Sequence, residues 1–76
     1  MNLYERVVAE VQPVLPKDQD AGAFVARQCS SHLNVEPGAL SAAHISELAR
    51  WIGVSASLLI PKEQALALGQ KVAALR

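Results

Sequence analysis

Residues 44–64 read HISELARWIGVSASLLIPKEQ, and whether the backbone bends inside them decides how the chain folds. Ile45, Leu48, Ala49, Ile52, Ala56, Leu59 and Ile60 recur at helical spacing and fit one uninterrupted apolar stripe from Ser41 to Ile60. Gly53 falls inside that stripe. A straight helix tolerates it at about 1 kcal/mol relative to alanine, whereas a sharp turn would use it for a positive backbone angle. Both paths, through Gly53 or broken at it, fit the spacing. Pro61 is less ambiguous: inside a helix it removes a hydrogen bond and clashes with the preceding turn, at about 3 kcal/mol, so the helix stops before it. The missing amide hydrogen is no loss in the first turn of a new helix, and Glu63 then lies near the positive end of that helix's dipole.

Outward from this segment the period is helical everywhere. Asn2 followed three residues later by Glu5 is a helix start of capping-box type, and Leu3, Val7, Val8 and Val11 follow at helical spacing. Pro13 and Pro16 make PVLPKDQD a turn that folds Val14 and Leu15 back on the core. Asp18 or Asp20 can cap a second helix whose apolar face is Phe24, Val25, Cys29 and Leu33, with Asn34 as terminator before the turn signal EPGA. Ser41 can cap the third helix. The expected fold is therefore all-α, a small bundle of about four short helices over roughly 3–12, 20–33, 41–60 and 61–75 in one domain, 1–76.

The segment ELARWIGVS resembles the helix-turn-helix family: a small Ala49, Gly53 four residues on, apolar Leu48, Ile52 and Val54, and Leu59 beyond. The likeness covers about 20 of the 76 residues. It implies a DNA-binding regulator whose second helix enters the major groove, with Arg50, Ser55, Ser57 and Lys62 as the residues available to touch DNA. The departures are specific. The would-be reading helix, SASLLIPKEQ, is stopped by Pro61 and offers two serines, three large apolar residues and one cation beside Glu63.

Composition narrows the classes further. Of the 76 residues 51% are hydrophobic and 18% charged, too apolar for disorder, and a chain this short builds only a marginal core. Seven Lys and Arg balance seven Asp and Glu, so no global field draws the protein to nucleic acid or an acidic membrane. The longest apolar run, WIGVSASLLI, is about half of what a membrane-spanning helix needs. One cysteine and an N-terminus without a basic, apolar leader point to a reducing, cytoplasmic setting.

No catalytic set is legible. Cys29 and His32 share a helix face and could join His44 at zinc, but a fourth ligand and paired spacing are missing, so neither a metal nor another cofactor is expected. The same pair lacks an orienting group and an oxyanion hole, and the acidic residues are scattered over helix faces and caps; the reading is non-enzymatic. What the sequence has in excess is apolar helix surface. In the last helix Leu66, Leu68, Val72 and Leu75 cover more than one side, and Ala65, Gly69 and Ala73 form a small-residue ridge. The expected function is self-association or docking to a partner protein's helix, with Trp51, Leu58, Leu59, Ile60, Leu66, Gly69 and Val72 as interface candidates.

Overall fold

In the computed structural model, which describes residues 2–75, four α-helices and three short helical turns enclose one core. Helix α1 spans Leu3–Val11, α2 Ala21–Gln28, α3 Ile45–Ala56 and α4 Lys62–Ala73; among the described residues there is no strand. The all-α bundle expected from the periodicity is the fold observed.

The first two helices start at the anticipated residues. The Glu5 amide donates to Asn2 Oδ1 at 2.8 Å and the Asn2 amide donates to Glu5 Oε1 at 3.1 Å, which satisfies two of the donors that a helix start leaves unpaired. Of the two aspartates in the first loop it is Asp20 that caps α2, accepting from the Ala23 amide at 3.2 Å. Leu15 folds back into the core as the proline spacing required, with Val14 packed partly against it. Tyr4 then ties α1 to α2, its hydroxyl donating to the Gly22 carbonyl at 2.9 Å.

Helix α2 does not continue as a regular α-helix to residue 33. After Gln28 the backbone widens into a π turn over Cys29–Leu33 and closes at Asn34, whose φ of 53° and ψ of 43° are left-handed. Asparagine is among the few residues that enter this region readily, and its amide and that of Val35 both reach the Cys29 carbonyl. Asn34 therefore ends the element as expected, while the wider turn ahead of it has no signature in hydrophobic spacing. A 3₁₀ turn at Pro37–Ala39 and another at Ala42–His44 then lead into α3, and Ser41 caps the second of these rather than α3 itself.

Helix α3 runs without interruption through Gly53, and no described glycine has a positive φ. The bend that the helix-turn-helix likeness places at Gly53 comes instead after Ala56. There Ser57–Ile60 form tight turns, the amides of Leu59 and Ile60 both donating to the Ala56 carbonyl, and Pro61 opens α4 by accepting from the Ala65 amide. The stripe expected to reach Ile60 thus stops four residues short. A proline at 61 excludes the conformation that would carry the helix up to it, so the last turn unwinds.

The two C-terminal helices form an αα-hairpin packed at short range. The floor of their contact is glycine and alanine: a Cβ placed on Gly53 would sit 3.7 Å from the Ala65 carbonyl oxygen, and one on Gly69 only 3.2 Å from that of Ala49. Small residues let two backbones approach where larger ones would hold them apart. Ile45, Leu48, Ile52 and Ala56 of α3 and Ala65, Leu68 and Val72 of α4 are buried against Val7, Val11, Phe24, Val25 and Cys29. Val72 consequently belongs to the core and is unavailable to a partner, contrary to the expectation from the wide apolar girth of α4.

Candidate apolar groove on the α3–α4 hairpin

The side of the hairpin turned away from the core carries a groove of about 670 Å³. Its floor is Ala49, Gly53, Ala65, Gly69 and Ala73, the same small residues that bring the helices together. Val54, 55% exposed, and Leu66, 57% exposed, stand on its two sides. Ser46, Ser57 and Gln70 add neutral polar groups, and the charged side chains lining it are two cations, Arg50 and Lys62. Leu58, 85% exposed, and Leu59, 38% exposed, extend the apolar surface onto the turn between the helices. An accumulation of large exposed apolar residues beside a concave floor is uncommon on a monomer's surface.

The residues singled out by sequence are distributed unevenly. Leu66 and Gly69 line the groove; Leu58 and Leu59 lie on the adjoining turn; Ile60 is half-buried against the core. Trp51 points elsewhere, its ring stacked on that of His32 with centroids 3.9 Å apart and planes within 6°. Of the residues considered for DNA, Arg50, Ser57 and Lys62 come together in the groove. Ser55 does not: its hydroxyl donates to Gln28 Oε1 at 2.9 Å and serves the buried glutamine. The Ser57 hydroxyl is also committed, donating to the Val54 carbonyl at 2.6 Å.

Val54 is the residue that sequence reasoning missed. It lies two positions beyond Ile52, across the helix from the buried stripe, and four before Leu58, a spacing that aligns the two on an outward face. That pairing was the available signal, and it was hidden because Val54 also fits the sealing position of a helix-turn-helix.

Among the described residues no three His, Cys, Asp or Glu side chains are grouped to hold a metal ion. His44 is engaged locally, its Nδ1 accepting from the Ser41 amide at 3.0 Å, and His32 is engaged with Trp51. Cys29 is buried, and burial pushes its thiol pKa up because the thiolate would lose its hydration. We expect a thiol reagent such as Ellman's to label native Cys29 at least about a hundredfold more slowly than the unfolded chain, since labelling must wait for opening of the fold. Equal rates in the presence and absence of denaturant would show the site to be open.

No described helix is long and apolar enough to cross a membrane. Fold and groove together define a small helical bundle with an apolar groove on its α3–α4 hairpin. Compared with protein-family models, characterised proteins and solved structures, the chain matches none.

Proposed function

We propose that the protein is a small non-enzymatic interaction module that works by presenting the α3–α4 face to another polypeptide helix, either a second copy of itself or a partner protein. The observation that carries this reading is the exposure of Val54, Leu58 and Leu66 around a floor of small residues. These side chains stand outside the core cluster, and leaving their exposed parts in water forgoes about 1–2 kcal/mol for each that could be covered. The short chain also gains stability from any partner that binds only the folded state. A reading as a DNA-binding regulator has less support, because the helix is straight at Gly53 and Ser55 is turned towards Gln28.

The test is the double substitution Val54→Glu and Leu66→Glu. Both positions are exposed, so the fold should survive with a stability change within about 0.5 kcal/mol. Association, whether measured as self-association by equilibrium sedimentation or as partner capture, should fall by at least about tenfold, the effect of losing roughly 1.4 kcal/mol of interface contact. Unchanged association by the folded variant would remove the groove from consideration.

A further inference from the structure

We infer that the groove receives an amphipathic helix from a different protein, one whose apolar ridge is flanked by acidic side chains. This rests on the reading of the chain as an interaction module and names the kind of partner.

The groove's shape selects a helix. Each wall is a 12-residue helix, about 18 Å long, which accommodates about three turns of a third helix with anchors at i, i+3 or i+4, and i+7. The floor is shallow and made of small residues, so leucine-sized knobs from such a ridge can seat between Val54 and Leu66. A small polar ligand has less to hold it: among the described residues no buried side-chain nitrogen or oxygen is left without a partner, and the groove's charges stand on exposed side chains.

Charge selects the source of that helix. Among the described residues the exposed large apolar side chains are Val54, Leu58, Leu59 and Leu66, all on α3, α4 or the turn joining them. A second copy that covered the groove with this same face would do so in a two-fold arrangement. Arg50 and Lys62 would then enter an apolar interface together with their own counterparts, because Glu47 and Glu63, though exposed, do not line the groove. A foreign helix with glutamate or aspartate beside its leucines brings the opposite charge to both cations and pairs them at the rim.

Two synthetic helical peptides test this against the full chain, labelled with nitrogen-15 for NMR titration. They share a leucine ridge at i, i+4 and i+7 and differ in carrying glutamates or lysines on its flanks. The glutamate peptide should shift the amide signals of Gly53, Val54, Leu66 and Gly69 and bind about tenfold more tightly at low salt than the lysine peptide. Added salt should narrow that gap. The double variant Arg50→Glu and Lys62→Glu, both at exposed positions, should reverse the preference while keeping the wild-type circular dichroism spectrum. Equal binding of the two peptides, or shifts confined to other surfaces, overturns the acidic-helix inference and leaves the interaction reading standing. So does a dimer closed across the groove in sedimentation. If neither peptide binds and the chain sediments as a monomer, both readings fall.

Discussion

Replacing Ile52 by alanine should lower the stability of the protein by about 2–5 kcal/mol, the range for truncating a fully enclosed aliphatic side chain. Ile52 has no exposed surface and sits on the buried face of α3 among the side chains that join the hairpin to α1 and α2. A 76-residue domain is held by only about 4–11 kcal/mol in all, so the variant should be partly unfolded at moderate temperature. Its melting midpoint should fall by more than about 10 °C, followed by circular dichroism at 222 nm. The informative comparison is Leu58→Ala, whose side chain meets mostly water and whose loss should change stability by less than about 0.5 kcal/mol. Leu59→Ala should fall between, at about 1 kcal/mol, because that side chain is only partly covered. If Leu59→Ala were as damaging as Ile52→Ala, the apolar stripe would extend past Ala56 and α3 would have to be longer than described.

The contrast between Ile52 and Leu59 shows where the sequence was legible and where it was not. Capping chemistry is local, so Asn2 with Glu5 and Asn34 could be assigned from a few neighbouring residues, the cap of α2 could be narrowed to Asp18 or Asp20, and Pro61 marked a boundary for the same reason. The helical period also identified most of the core. It could not decide on which side an over-apolar helix would be covered. α4 has large apolar residues around much of its circumference, and only the approach of α3 over Ala65, Gly69 and Ala73 puts Leu68 and Val72 inward and Leu66 outward. The groove was half legible: Leu66, Gly69, Arg50, Ser57 and Lys62 were each noticed, but under two separate readings. What joins them is the hairpin closure, a tertiary event between residues more than ten positions apart. Net charge concealed the rest, since a chain balanced at seven and seven can still line one concave face with cations alone.

Gly53 and Gly69 should respond in opposite directions to added side chains, although both are helical glycines on one contact. Alanine at 53 should raise stability by about 0.5–1 kcal/mol, because the helix regains the conformational entropy that glycine forfeits and the new Cβ meets the Ala65 carbonyl oxygen at an ordinary 3.7 Å. Valine at 69 should lower it by about 1–3 kcal/mol. Its Cβ begins 3.2 Å from the Ala49 carbonyl oxygen, a backbone atom of α3 that cannot swing aside, and its methyl groups need room that the short helix separation does not leave. Urea unfolding of the two variants would give both signs from midpoint shifts at constant slope. The Gly53→Ala result bears directly on the stretch HISELARWIGVSASLLIPKEQ. A turn of the helix-turn-helix kind needs a positive φ at Gly53, where alanine is strained, so that geometry requires the substitution to destabilise. Stabilisation by Gly53→Ala is expected only if the helix continues through the glycine, with room for a methyl group against α4. Val54 then remains on the outer face of a straight α3, opposite Leu66, and the groove between them keeps its shape.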